Sequence, residues 1–300
     1  MTNLRPLPTK PATPPTDPAY YIAAGNYNRP DFPLLTGTPK FCRRHIAHHL
    51  VPRLVANEPP RIAVLQGIPG DGKTETLKVT LSRAGVAMIF VPGSHFAGPH
   101  EDSAISALNE IADDIARISQ RTCEPFALVI DDADLSILNM TDNVTYTVNS
   151  QGFINQMMHL ANGTDMRDAQ GRLVPIFMTG NDFSTLRASQ LRPGRAVFHT
   201  HAPSFDDKVE IAAQLFRTFG FSPADMRTLI SDHPSQPVAF FSDLRTAIYD
   251  AQLDAALNTH GLHPLALDRA VATPPRLTIG QLRAVAHELA TARARNFLAA

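Results

Sequence analysis

Gly67-Ile68-Pro69-Gly70-Asp71-Gly72-Lys73-Thr74 lies directly behind an apolar run, Ile62 to Gln66, and directly ahead of a stretch with helical spacing. A strand that turns through a glycine-rich loop into a helix is the context that the pattern G-x-x-x-x-G-K-[ST] requires. The glycines let successive backbone N–H groups turn inward around phosphate oxygens, and the helix N-terminus adds positive potential. Lys73 then reaches the β- and γ-phosphates, and the Thr74 hydroxyl is a hard oxygen ligand for Mg2+. The whole loop, Gly67 to Thr74, is the expected nucleotide contact, although the pattern alone does not separate ATP from GTP.

Around this loop, strands and helices alternate. Apolar runs at Val86 to Val91, Phe126 to Ile130, Val174 to Met178 and Ala196 to Thr200 are separated by helical stretches such as Ser103 to Ile118 and Gln151 to Ala161. That rhythm predicts an α/β domain built on a parallel sheet. Upstream, Lys40 to Leu50 has helical spacing, and Pro59-Pro60 breaks the pattern just before the first strand. Beyond Pro203 the chain reads only as helix and loop, with helices over Asp206 to Thr218, Ala239 to Leu257 and Thr278 to Leu298. The expected organisation is a flexible Pro-rich arm (1–30), a nucleotide-binding α/β domain (31–203) and a helical lid domain (204–300).

Composition narrows the class. Three hundred residues with 44% hydrophobic content are ample for globular cores. A formal net charge of −1, without a basic run, argues against nucleic acid as the partner. Cys42 and Cys123 are too far apart in sequence for a CxxC pair, so neither a disulfide framework nor a zinc knuckle is implied. No apolar run approaches the roughly 18–20 residues of a membrane span, and no secretory signal opens the chain; a cytoplasmic protein is expected.

Three further stretches carry chemistry. Phe126-Ala-Leu-Val-Ile-Asp131-Asp132-Ala-Asp134 is an apolar strand ending in carboxylates beside the phosphate loop. Asp131 is expected to hold Mg2+ with Thr74, and Asp132 to polarise the attacking water. Met178-Thr-Gly-Asn181-Asp182 places an amide at another strand end, where Asn181 would orient that water. Leu191-Arg192-Pro-Gly-Arg195 presents two guanidinium groups, suited to reach a neighbouring subunit's γ-phosphate as charge develops. Three signals are read more plainly. His45, His48 and His49 form a basic helix face rather than a metal site, and strand alternation accounts for His199 and His201. Phe96, in a loop after the second strand, is either a client-gripping residue or an aromatic tucked onto its own domain.

Loop, acidic strand, polar strand end and arginine turn, in that order and ahead of a helical domain, resemble the AAA+ plan. Tyr146-Thr-Val-Asn-Ser-Gln151, Met157-Met-His-Leu-Ala-Asn162, Thr179-Gly-Asn-Asp-Phe-Ser-Thr-Leu186 and Phe240-Phe-Ser-Asp-Leu-Arg245 with Tyr249-Asp250 are similar to stretches of one AAA+ family, Rubisco activase. The resemblance runs from about Phe41 to the C-terminus. It implies a parallel sheet of order 5-1-4-3-2, a helical lid and ring oligomers, typically hexamers. It also implies ATP with Mg2+ as cofactors, Arg245 contacting nucleotide from the lid, and ATP-driven remodelling of Rubisco. The chain departs from the family in four places. Asp131 stands where plant members usually carry Asn, and Ala247 takes the place of a second lid arginine. The sequence contains no tryptophan, and its 250–278 segment is short. The resulting expectation is a Mg-dependent AAA+ ATPase remodelling a protein client, Rubisco being a candidate. The alternative is an ATP-gated assembly or loading factor acting on another protein complex or on nucleic acid.

Overall fold

The computed structural model describes residues 17–30, 32–34, 37–55, 59–96, 103–134, 166–184 and 194–298. The expected helix over Gln151 to Ala161, the Tyr146–Gln151 and Met157–Asn162 stretches and Arg192 lie outside them.

Among the described residues, six strands form one sheet: β1 (Tyr21–Ile22), β2 (Ile62–Gln66), β3 (Ala87–Pro92), β4 (Phe126–Asp131), β5 (Ile176–Gly180) and β6 (Ala196–Thr200). Their spatial order is β6-β2-β5-β4-β3-β1. β2 to β6 are parallel, and counted among themselves they follow the expected 5-1-4-3-2 arrangement. β1 is an addition to that order, pairing antiparallel with β3 through Tyr21↔Ile89 and Ile22↔Met88. The inner strands read as continuous apolar runs because helices cover both faces. Ile62, Val64, Ile89, Leu128, Ile130 and Ile176 fill one side; Ala63, Leu65, Met88, Val129 and Phe177 fill the other.

On the second of these faces lie α1 (Gly37–Leu50) and α3 (Lys73–Arg83), the latter running straight out of the glycine loop; α2 (Pro52–Val55) is a single turn after α1. α4 (Ser103–Thr122) covers the first face through Leu108, Ile111, Ile115 and Ile118. The lid is α5 (Phe205–Leu215), α6 (Pro223–Asp232), α7 (Val238–His260), α8 (Pro264–Val271) and α9 (Ile279–Leu298). Two of its helices start on matched capping boxes, Ser204 with Asp207 and Ser222 with Asp225. Its core is separate from the sheet's and gathers Phe216, Met226, Leu229, Phe240, Phe241, Leu244, Leu282 and Ala286. Among the described residues, no helix is long and apolar enough to cross a membrane.

Residues 17–30 depart from the arm expected over 1–30. Asp17 pairs with Arg121, Tyr20 Oη donates to Asp114, Tyr21 Oη donates to Glu124, and the Tyr21 ring stacks on Phe126. Aromatic anchors on the helix and sheet flank outweigh the local proline and threonine content. Phe96 is 3% exposed and belongs to the sheet core, so of its two readings the tucked aromatic holds.

The α1 histidines are core residues in part. His45 Nε2 bonds the Arg61 carbonyl at 3.1 Å, His49 Nδ1 bonds the His45 carbonyl at 2.8 Å, and the His45 ring packs edge-on against Phe177. Burial, then the neighbouring ring's charge, pushes His45 down to about 3, and burial pushes His49 down to about 4. An unfolded histidine titrates near 6.5, so below that pH the unfolded chain binds protons that the native state refuses. The stability these rings contribute is complete above pH ~6.5 and is lost as pH falls toward their folded values. Unfolding free energy is expected to drop by about 3 kcal/mol between pH 6.5 and 5. Denaturant titrations across that range check it; a flat profile would show that both rings charge without cost.

Candidate nucleotide-binding site

The loop between β2 and α3 sits at the carboxyl ends of the parallel strands, where open α/β sheets place ligands. Gly67 lies so close to β6 that a Cβ would stand 2.3 Å from the His201 carbonyl oxygen. Only glycine allows that approach. A cleft of about 900 Å³ opens above the loop and is lined by Gly70 to Thr76, Asp132 and Asn181, with Arg29, Pro30, Phe32 and Pro33 on one side and Ile211, Leu215, Arg217 and Arg245 of the lid on the other.

Lys73 is 6% exposed, and its ammonium donates to the Gly67 carbonyl (2.8 Å), the Ile68 carbonyl (3.0 Å) and Asn181 Oδ1 (3.1 Å). Burial lowers its pKa, and Asp132, Asp134, Asp71 and Asp131 pull it back up. Thr74 Oγ1 donates to Asp131 Oδ1 at 2.6 Å, and Thr179 Oγ1 donates to the same oxygen. Two hydroxyls and a carboxylate at the end of β4 are the hard oxygen set that suits Mg2+. Asp132 follows with φ 48°, a left-handed conformation rare for a residue with a side chain and tolerated best by Asp and Asn. Its pKa is raised by burial first and then by the charges of Asp131 and Asp134, against the pull of Lys73.

Asp134 carries no role that its place in the acidic motif makes legible. Its Oδ2 accepts the Asn181 N–H at 2.6 Å and the Asp182 N–H at 3.2 Å, so this buried carboxylate fixes the β5 end that carries Asn181. His201 also exceeds its reading as an alternating strand residue. It is 1% exposed; Nε2 donates to the Asp71 carbonyl (2.8 Å) and Nδ1 accepts from Thr38 (2.8 Å), bracing the loop against α1. The wall formed by Arg29, Pro30, Phe32 and Pro33 carries no signal in the sequence. Arg83, at the end of α3, donates to the carbonyls of Arg29, Pro30 and Phe32, and Tyr27 Oη donates to Glu75 in the first turn of the same helix. The helix that follows the phosphate loop therefore also carries the opposite wall of the cleft.

One cleft collects Lys73, Thr74, Asp132, Asn181 and Arg245, with Asp131 bonded to Thr74 behind them. Arg195 is not among them. It immediately precedes β6, whose first residue pairs with Ile62 and whose last pairs with Gln66, so it stands about 16 Å down the strand from the loop.

The match to known proteins follows the same division. Residues 63–204 match the model of the ATPase family associated with various cellular activities (AAA), and residues 205–282 match the family described as ribulose bisphosphate carboxylase/oxygenase activase, AAA, helical. Over residues 63–204 the chain therefore carries the nucleotide-binding fold of the AAA class, and it is similar to AAA+ ATPases. More particularly, it resembles Rubisco activase. It is 30% identical to the ribulose bisphosphate carboxylase/oxygenase activase of Nostoc sp. (strain PCC 7120 / SAG 25.82 / UTEX 2576) over 69% of this chain and 52% of that protein. It is 31% identical to the chloroplastic activase of Vigna radiata var. radiata over 65% of this chain and 46% of that one. The match to the chloroplastic activase of Arabidopsis thaliana is 27% identical over 69% and 45%. The chain spans about half the length of the curated relatives it matches.

Proposed function

We propose that the protein is a Mg-dependent ATP hydrolase that works as a ring and uses turnover to remodel a protein client, with Rubisco the candidate. The observation that carries this reading is the convergence of a buried ammonium, a carboxylate held above its usual pKa, a strand-end amide and a lid guanidinium on one cleft.

In the reaction, Lys73 exchanges its bonds to Gly67, Ile68 and Asn181 for β- and γ-phosphate oxygens, which frees the Asn181 amide to orient water. Asp132, less acidic than a surface carboxylate, accepts that water's proton as the oxygen attacks the γ-phosphorus and the P–O bond to the β,γ-bridging oxygen breaks, releasing ADP and phosphate. Asp134 keeps Asn181 in register, and Arg245 brings positive charge from the lid. Thr74 and Asp131 would hold Mg2+, which would supply positive charge to offset the charge that develops on the phosphates. Arg195, displaced from its own cleft, suits a role across a subunit interface, as does Arg192. The Gly67–Thr74 loop and the five parallel strands form the sheet domain, and the helices after residue 203 form the body whose motion transmits turnover.

Rubisco enters because the relatives carry activase in their names. The absence of tryptophan and the short segment between Asp250 and Thr278 are the features that set this chain's client contact apart. Capture on immobilised Asp132→Asn protein saturated with ATP tests the client. Retention of Rubisco large subunit in the presence of ATP, and its release with ADP, is the expected result. Retention of a different complex reassigns the client, and a salt-sensitive shift of DNA would favour the loading-factor alternative.

A further inference from the structure

The longest lid helix begins on the phosphate loop. The Gly70 carbonyl accepts the Ala239 N–H at 2.8 Å, and Asp71 Oδ1 accepts the Val238 N–H at 3.1 Å. These are the first two residues of α7, and the residue in the capping position, Pro237, offers no side-chain acceptor. Amides in a first helical turn have no partner within their helix, and a carboxylate there also meets the positive end of the helix dipole. The phosphate loop thus supplies the cap that α7 lacks.

Asp71 is well placed to hold it. The residue is 4% exposed, and its carbonyl is braced by His201, so the sheet domain grips one end of Asp71 while the other end grips the lid. Gly70 permits the contact: with φ +81°, its absent Cβ would stand 2.9 Å from the Ala239 methyl. Arg245 lies on the same helix seven residues beyond Val238, about two turns or 10 Å along the axis, and lines the nucleotide cleft. Phe240, Phe241, Leu244 and Ile248 pack the helix into the lid core, so α7 moves as part of one body.

We propose that Asp71 is a positioning residue for Arg245: by capping α7 from the phosphate loop, its carboxylate sets where the lid arginine stands over the nucleotide. This rests on reading the cleft as the ATP site. Position 71 is an unconstrained x in the loop pattern, so the role belongs to this chain's own residue rather than to the motif.

Two measurements on the full chain test it. Without nucleotide, Asp71→Ala is expected to speed amide hydrogen exchange at Val238 and Ala239 by about tenfold or more, leaving the sheet strands unchanged. Asp71→Asn, whose amide oxygen accepts the same bond, is expected to recover most of that protection. Unchanged exchange at these two amides overturns the cap. With nucleotide, the Asp71→Ala and Arg245→Ala variants are combined in a double-mutant cycle on ATP affinity. If Asp71 acts through Arg245, the Asp71→Ala change, worth roughly fivefold alone, costs less than about twofold once Arg245 is gone. Full additivity overturns the positioning role. Failure of the unaltered chain to bind ATP overturns instead the nucleotide reading and the part given to Arg245, while the exchange result still decides the cap.

Discussion

Lys73→Ala is expected to lose about 100-fold or more in affinity for ATP, equivalent to about 3 kcal/mol. Two effects act together. The variant removes the only lysine among the described residues that line the cleft, so charge-assisted bonds to phosphate oxygens are not replaced. It also leaves Asp71, Asp131, Asp132 and Asp134, all close enough to act on Lys73, facing an incoming polyanion without their nearest counter-charge. Equilibrium titration with a fluorescent ATP analogue measures the loss. An affinity within threefold of the unaltered chain would mean that phosphates are held elsewhere.

Asp132→Asn separates binding from chemistry. The carboxamide keeps the shape of the side chain but cannot take a proton from water, so turnover is expected to fall by about 100-fold to 1000-fold. ATP affinity is expected to stay within about threefold, because the change also removes a negative charge from a site that binds a polyanion. Single-turnover phosphate release set beside the titration used for Lys73→Ala gives both quantities. Similar losses of affinity in the two variants would sink the assignment of separate roles.

How much of this was legible in the sequence depended on how local the cause was. The phosphate loop shows itself because strand, glycines, lysine and helix are adjacent. The five parallel strands show themselves because strands buried on both faces are nearly all apolar. Asp131, Asp132 and Asn181 were legible as polar strand ends, since that is where a parallel sheet exposes its chemistry. Contacts between distant segments were not legible. Tyr21–Ile22 is too short for any period to register, and its Pro- and Thr-rich surroundings suggest an arm, yet pairing with Ile89 and Met88 makes it an edge strand. His201 alternates like any strand residue, and only the meeting of β6 with Thr38 and Asp71 gives it a task. Asp134 looked like the tail of an acidic motif, and its bonds to the β5 turn reveal that it holds Asn181. Arg83 carries no motif at all; its significance lies in three carbonyls some fifty residues upstream.

The lid shows the same limit. α5, α7 and α9 stand out by helical spacing, whereas α6 and α8 are too short for their spacing to register. Their positions come from packing on α5 and α7, respectively. Phe96 shows that an aromatic in a loop needs its burial known before a function is attached to it.

The central claim is that the cleft between sheet and lid turns over ATP with a divalent cation. Steady-state phosphate release by the full chain, titrated with ATP in the presence of Mg2+ and again with the metal chelated, tests it most directly. Saturable release that requires Mg2+ is the result the account predicts. Tight ATP binding with no release under either condition, at concentrations where the chain assembles, would contradict it and leave a nucleotide-binding scaffold in place of a motor.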